Sequence, residues 1–264
     1  MYVIKGEISM RKIEDIAYGL HPDQKLDLYL PEQEEFSTFI YFHGGGFEPV
    51  RDKTYGSVLA EYLAEHGIAT VCVEYRRYPE AVYPEYIRDC ATTVAWTLKH
   101  IGEYGKSRKL YVGGSSAGGY ASMMLCFDKR WYAPHKISGD AIAGYFHDAG
   151  QPTTHFNILR ERGQNTKKVV IDDAAPLYHI GDLPEYPPMH FVVSDEDIPS
   201  RYEQTMLVLS TLKRFGYDMS KNTYQVMHGK HCRYIAQIDD KGNSVLGKLI
   251  YDFIARCENI EKVE

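Results

Sequence analysis

The sequence has no long apolar run, and none approaches the roughly 18 consecutive residues that a membrane-spanning helix requires. Positive charge is in deficit, because 36 Asp and Glu outnumber 30 Lys and Arg and leave a net charge of −6. The first residues, MYVIKGEISMRK, lack the apolar segment of about 7–15 residues that marks a signal peptide. We therefore expect neither a nucleic-acid partner nor a membrane.

Cysteine is also scarce, with five residues, an odd number, and no C-x-x-C pair. This usage is typical of reduced thiols in the cytoplasm and offers no zinc framework. No repeat, low-complexity tract or linker divides the 264 residues, so we expect a single domain over 1–264. The 22 tyrosines are a weak indication of a sugar-binding surface, and the oligomeric state is not predicted.

Apolar periodicity changes repeatedly along the chain between that of strands and that of helices, which predicts an α/β fold with a mainly parallel sheet and helices on both faces. Strands are predicted at 24–30, 36–42, 68–75, 109–112, 141–146, 189–194 and 222–227, and helices at 54–66, 84–101, 117–127, 202–215 and 245–255. The irregular region 128–188 is too long for a simple connection. We interpret it as a lid-like insertion over the sheet edge.

Two adjacent serines stand between glycines in LYVGGSSAGGYAS, residues 110–122. The stretch matches the G-x-S-x-G pattern of a nucleophile elbow, with a predicted strand before it and a predicted helix after it. Centring the pattern on Ser116 places Gly114 and Gly118 two positions away on either side, where strand and helix must pass closely. Centring it on Ser115 does not, so Ser116 is the preferred nucleophile.

A second glycine-rich motif, HGGGF, begins at His43 directly after a predicted strand. Glycines allow a backbone to turn its N–H groups towards a substrate oxygen without obstruction by Cβ. We expect the N–H groups of Gly44, Gly45 and Ala117 to form an oxyanion hole. A plain tight loop is the alternative interpretation.

A serine nucleophile also needs an acid and a base, which follow the elbow along the chain in that order. Of the 11 histidines, only His228 and His231 follow the last predicted strand. His231 lies past Gly229 in a loop free to approach Ser116, and is preferred to its neighbour His228.

The acid is expected after the predicted strand 189–194, where the chain reads SDEDIP. Asp197 stands where the loop turns before Pro199 and is preferred to Asp195. A metal site is the rival interpretation of this acidic cluster, but no His or Cys ligand spacing accompanies it.

Together these motifs resemble the α/β-hydrolases of the hormone-sensitive-lipase-like and acetyl-esterase group. HGGGF resembles their oxyanion loop, EYRRYPE is similar to a D-Y-R-x-x-P-E segment with Glu74 in place of Asp, and GGSSAGG stands where G-D-S-A-G-G is common, with Ser115 in place of Asp. The turn SDEDIP resembles the G-x-x-D-x-x-P turn of feruloyl and acetyl-xylan esterases of the BD-FAE type, which points to Asp197.

The resemblance implies a serine carboxylesterase that acts on small acyl esters, acetyl esters of sugars among them, through an acyl-enzyme and without cofactor or metal. An arylformamidase is the alternative within enzymes. A peptidase of the prolyl-oligopeptidase type is disfavoured, since we expect no N-terminal propeller. A non-catalytic binding protein on the same fold is the alternative of another class.

Overall fold

The computed structural model describes residues 10–259 and contains one eight-stranded sheet. The strands are β1 Arg11–Ala17, β2 Lys25–Leu30, β3 Glu35–Phe42, β4 Ile68–Val73, β5 Lys106–Ser115, β6 Gly144–Asp148, β7 Met189–Glu196 and β8 Asn222–Lys230. Their order across the sheet is β1-β2-β4-β3-β5-β6-β7-β8. The β1–β2 and β2–β4 pairs are antiparallel, and all other neighbours are parallel.

Helices cover both faces of the sheet, as the alternation of elements predicts. They are α1 Ser57–Glu65, α2 Glu85–His100, α3 Ala117–Phe127, α4 Phe156–Glu161, α5 Arg201–Arg214 and α6 Val245–Glu258. Successive side chains of β3 supply opposite cores: Ile40 belongs to the core that contains side chains of α2, α3 and α5, whereas Phe39 belongs to the core that contains side chains of α1 and α6. A strand buried on both faces reads as a continuous apolar run, which explains the sequence of β3 and β4.

The sequence suggested that the region 128–188 is one insertion over the sheet edge. In the structure a strand, β6, divides this region into two parts. β6 lies within it and pairs with β5 on one side and β7 on the other, in the interior of the sheet. The prediction of an edge insertion was therefore wrong, because the strand predicted at 141–146 occupies a central position. Irregular chain remains on either side of β6, and a lid role for the part that follows β6 stays a prediction.

β1 was not predicted, because its sequence RKIEDIA is mostly polar. It is an edge strand with mainly exposed side chains, so its position depends on pairing with β2 and not on an apolar pattern. Among residues 10–259, no helix combines the length and the apolar character needed to cross a bilayer.

The first turn of α3 crosses the sheet in close contact with its backbone. A Cβ at Gly118 would overlap the carbonyl oxygen of Phe42, and a Cβ at Gly119 would overlap that of Asp148. A Cβ at Gly114 would in turn overlap the backbone of Gly118. The glycines of the elbow therefore set how closely α3 approaches β3 and β6.

We expect Gly118→Ala to destabilise the protein by about 3 kcal/mol or more, because its methyl group would displace the β3 carbonyl. Helix propensity alone predicts the opposite sign, since alanine is favoured over glycine within a helix by about 1 kcal/mol. Urea unfolding followed by circular dichroism measures the change. The control is Gly102→Ala, where no atom lies within 4 Å of the added methyl group. A Gly118→Ala variant as stable as the control would contradict the close approach described here.

Candidate active site

Ser116 occupies the single residue between the end of β5 and the start of α3. Its backbone has φ 56° and ψ −111°, a conformation that residues other than glycine rarely adopt. Its N–H donates to the carbonyl oxygen of Asp148 at 2.8 Å. Such strain at a strand–helix junction is typical of a nucleophile elbow, which exposes the hydroxyl above the sheet.

His231 and Asp197 complete a chain of hydrogen bonds from the serine. The His231 Nε2 lies 2.8 Å from the Ser116 Oγ, and its Nδ1 lies 2.6 Å from the Asp197 Oδ1. The three residues follow β5, β7 and β8, whose carboxyl ends meet at one edge of the parallel sheet. The arrangement matches the serine–histidine–acid geometry that activates a hydroxyl for attack.

The environment of Asp197 favours its ionised form. Its carboxyl also accepts hydrogen bonds from the backbone N–H groups of Ser194 at 3.2 Å and Ile198 at 2.7 Å. Burial opposes ionisation, but the hydrogen bond and charge interaction with His231 outweigh it, so the pKa of Asp197 lies below its ordinary value. The carboxylate is thereby available to orient the imidazole.

The alternatives that the sequence left open lie elsewhere. Ser115 is fully buried, and its Oγ accepts a hydrogen bond from the Tyr41 hydroxyl at 2.9 Å. Asp195 contacts His228 at 2.8 Å, and the exposed fractions of the two side chains are 44% and 89%. Asp195 and His228 therefore form a solvated pair, separate from the pair of Asp197 and His231.

The HGGGF loop lies against the serine. A Cβ at Gly44 would lie 3.1 Å from both the Ser116 Cβ and the Ser115 carbonyl oxygen. Gly45 has φ +113°, in the region that favours glycine. Within residues 10–259, no backbone carbonyl accepts a hydrogen bond from the N–H of Gly44, Gly45 or Ala117. These three N–H groups fit an oxyanion hole as the sequence suggested, and that role stays a prediction.

Buried contacts hold this loop in place. The His43 ring stacks on Tyr75 with centroids 4.5 Å apart, and its Nδ1 lies 2.6 Å from the Gly44 carbonyl oxygen. The Tyr75 hydroxyl donates to the His43 carbonyl oxygen at 2.7 Å. Glu74 lies 3.2 Å from the His43 Nε2, which gives the E-Y-R segment a structural link to the loop.

The segment 150–156, which follows β6, packs on the same loop. The His155 ring lies 5.0 Å from the ring of Phe47, and a Cβ at Gly46 would lie 3.2 Å from the Phe156 ring. Within the segment, Gln151 is buried. The chain after β6, up to the start of α4, thus packs against the candidate oxyanion loop.

Two buried charges near the site were missed by sequence reasoning. Arg201, at the start of α5, donates from Nη1 to the Ala149 carbonyl oxygen and from Nη2 to the Gln151 Oε1. Asp148, at the end of β6, accepts a hydrogen bond from the Tyr234 hydroxyl. Neither belongs to a recognisable motif, so only the fold brings them to the site. In the part of the chain that the structure describes, no three His, Cys, Asp or Glu side chains form a group that could hold a metal ion.

A model of the prolyl oligopeptidase family matches residues 84–259, which is more than half of the chain and includes Ser116, Asp197 and His231. The chain belongs to this family. A second family model, BD-FAE, matches residues 26–140, which contain both the HGGGF loop and the elbow. Together with the sheet order, these matches identify an α/β-hydrolase.

Curated relatives of this α/β-hydrolase carry the names of esterases. A probable isoprenylcysteine alpha-carbonyl methylesterase of Oryza sativa is 30% identical over 220 residues, 73% of this chain and 51% of the relative. A probable isoprenylcysteine alpha-carbonyl methylesterase of Arabidopsis thaliana is 33% identical over 130 residues, 48% of this chain and 27% of the relative. The chain thus spans at most about half the length of these relatives.

Solved structures share the fold of this α/β-hydrolase at low sequence identity. A truncated carbohydrate esterase from gut microbiota aligns with a TM-score of 0.77 at 15% identity, over 97% of this chain and 99% of the other. Esterase Est2 of Thermogutta terrifontis with propionate bound aligns with a TM-score of 0.74 at 18% identity, over 95% of this chain and 96% of the other. These likenesses establish the fold.

The contacts of the two histidines lead to a prediction about His228. The hydrogen bond that His228 donates to the Asp195 carboxylate raises the pKa of the exposed His228. We expect Asp195→Asn to return that pKa towards its ordinary value near 6.5, because the favourable charge interaction is removed. NMR titration of the imidazole resonances measures it, with Asp218→Asn as an exposed control. An unchanged titration of His228 would contradict the pairing.

Proposed function

We propose that this protein is a serine carboxylesterase that hydrolyses short-chain acyl esters, acetyl esters of sugars among them. The observation that carries the proposal is the continuous hydrogen-bond chain Asp197–His231–Ser116 beside the N–H groups of Gly44 and Gly45, which donate to no backbone carbonyl within residues 10–259. The esterase names of the relatives support it, as does the carbohydrate esterase among the structural neighbours.

In the proposed mechanism the Ser116 Oγ attacks the ester carbonyl carbon while the His231 Nε2 accepts its proton. Asp197 orients the imidazole and stabilises its protonated form. The N–H groups of Gly44, Gly45 and Ala117 stabilise the oxyanion, and one such donor is worth about 3–4 kcal/mol in the transition state. His231 then donates its proton to the leaving alcohol, and water hydrolyses the acyl-enzyme by the reverse sequence of proton transfers.

A peptidase activity is the second candidate, because the family model that covers most of the chain describes prolyl oligopeptidases. Amide hydrolysis uses the same three residues but requires protonation of a more basic leaving group. The relatives with esterase names match much of the same chain, which favours the ester substrate. An arylformamidase is intermediate between the two, because its substrate has an amide bond like a peptide and a small acyl group like a short-chain ester.

The two adjacent serines offer a matched pair of variants. We expect Ser116→Ala to lower kcat for p-nitrophenyl acetate by about 10⁴-fold or more, as removal of a triad nucleophile does. We expect Ser115→Ala to lower it by about tenfold at most, because Ser115 does not face the substrate. A fluorophosphonate probe with mass spectrometry locates the labelled serine. Labelling at Ser115, or a folded wild-type protein that resists the probe, would refute the assignment.

The substrate class is tested with a panel assayed at one enzyme concentration. It contains acetylated xylose and glucose, p-nitrophenyl esters of two to eight carbons, N-formylkynurenine and a prolyl p-nitroanilide. We expect the highest kcat/KM on acetyl and propionyl esters. Faster hydrolysis of the formyl amide or the anilide would replace the carboxylesterase assignment with the arylformamidase or the peptidase.

A further inference from the structure

We propose that Asp148 is a positioning residue for the reaction, which joins the nucleophile elbow to the histidine loop and places a second negative charge near His231. The inference rests on the proposed function, since it assigns the regulation of the same site. It concerns a residue that belongs to no sequence motif; among residues 10–259, the Ser116 hydroxyl bonds to His231 and the Asp148 side chain bonds to Tyr234.

The position of Asp148 connects two of the three loops that carry the site. It is the last residue of β6 and the register partner of Ser115 across the β5–β6 pair. Its carbonyl oxygen accepts the hydrogen bond from the Ser116 N–H at 2.8 Å. Its Oδ1 accepts from the hydroxyl of Tyr234, three residues after His231. One residue thus holds the strained elbow through its backbone and the histidine loop through its side chain.

Burial makes ionisation of the Asp148 carboxyl unfavourable. Asp148 has no exposed surface, and its Oδ2 has no hydrogen-bond partner among the described residues. Burial raises the pKa of Asp148 to about 6, while the hydroxyls of Ser115 and Tyr234 and the nearby His231 lower it. Because the folded pKa exceeds the unfolded value of about 3.9, the ionised carboxyl opposes folding above pH 6. A residue that weakens the fold at neutral pH is expected to serve another purpose.

The groups around the carboxyl show what that purpose is. They are Tyr41 from β3, Tyr55 just before α1, Ser115 from β5, Asp197 after β7, and His231, Cys232 and Tyr234 after β8. The Arg201 guanidinium binds the adjacent Ala149 carbonyl oxygen and not the carboxylate. Positive charge that faces Asp148 therefore arises on His231, when the imidazole accepts a proton during attack.

The ionised carboxyl stabilises that protonated imidazole through space, in addition to Asp197 through its hydrogen bond. At pH 8 both carboxylates are charged, and the transition state gains from both. As the pH falls through about 6, Asp148 accepts a proton and this contribution is lost. The acid limb of the pH profile of kcat/KM then depends on the protonation of two groups, the imidazole and the Asp148 carboxyl.

Two variants of the same hydrogen bond are expected to shift this limb in opposite directions. Asp148→Asn removes the charge and keeps the shape, so the imidazole loses its proton more readily and the limb moves to lower pH. We expect kcat for p-nitrophenyl acetate at pH 8 to fall about tenfold, with KM changed less than twofold. Tyr234→Phe removes a donor, so the carboxyl is protonated more readily and the limb moves to higher pH.

A merely structural role does not produce this pair of shifts. If Asp148→Asn lowers kcat but leaves the acid limb at the wild-type pH, or if both variants move the limb in the same direction, the proposal is overturned. Thermal unfolding at pH 8 shows that each variant is folded, and we expect Asp148→Asn to be no less stable than the wild type. Tyr62→Phe, on α1, is the matched control for loss of a tyrosine hydroxyl.

NMR titration of the His231 imidazole in the wild type and the two variants provides a measurement that needs no turnover. The protonation midpoint is expected to fall in Asp148→Asn. If the wild type hydrolyses no ester but this shift is present, the proposed function is wrong and the charge interaction is retained. If the wild type is an esterase and the midpoint does not change in Asp148→Asn, the role of Asp148 is wrong and the proposed function is retained.

Discussion

The close approach of α3 to the backbone of β3 and β6 is the constraint on which the rest of the site depends. Glycines at 114, 118 and 119 allow that approach, and a Cβ at any of them would overlap main-chain atoms. With the helix seated so closely, the single residue between β5 and α3 must turn sharply and adopts φ 56°. The strain at Ser116 is therefore a consequence of packing, and burial of α3 in the core maintains it.

The same parallel sheet explains why the remaining parts of the site meet there. β3, β5, β7 and β8 run in one direction, so the HGGGF loop, Ser116, Asp197 and His231 all follow carboxyl ends at one edge. Each loop needs only a few residues to reach its neighbours. Chemistry on this fold is thus assembled from distant parts of the sequence, and each part is held by its own strand.

Sequence reasoning was effective wherever a function demands a local pattern. The elbow requires small residues at fixed spacing around Ser116, and a loop that turns N–H groups towards an oxyanion requires glycines, so each predicted feature leaves a signature in the sequence. The choice between Asp195 and Asp197 was harder, because each is a carboxylate in the same acidic run. The turn before Pro199 favoured Asp197, and the structure joins it to His231. Five of the six helices in residues 10–259 were predicted close to their observed bounds, whereas the short α4 was not predicted.

The residues that were missed act through tertiary contacts alone. Asp148 and Tyr234 lie 86 positions apart, and neither one's neighbours in sequence show that the two side chains meet. The position of β6 was obscured in a similar way, since the strand predicted at 141–146 lies inside a long irregular region rich in glycine and proline, which suggested an insertion at the sheet edge. A short central strand receives its stability from the strands on both sides, and not from its own pattern.

The sequence of the elbow itself reflects the contact between β5 and β6. Position 115, where the sequence pattern G-D-S-A-G-G has a carboxylate, holds a serine here, and the carboxylate lies on its register partner, Asp148. A carboxyl on β6 faces both the elbow and the loop after β8, whereas one on β5 would be attached to the elbow alone. Asp148 connects the two loops, because its backbone carbonyl oxygen accepts from the Ser116 N–H and its carboxyl accepts from the Tyr234 hydroxyl. The strained serine and the buried charge are thus two parts of one arrangement, in which packing of the sheet and α3 holds in place groups that would otherwise relax.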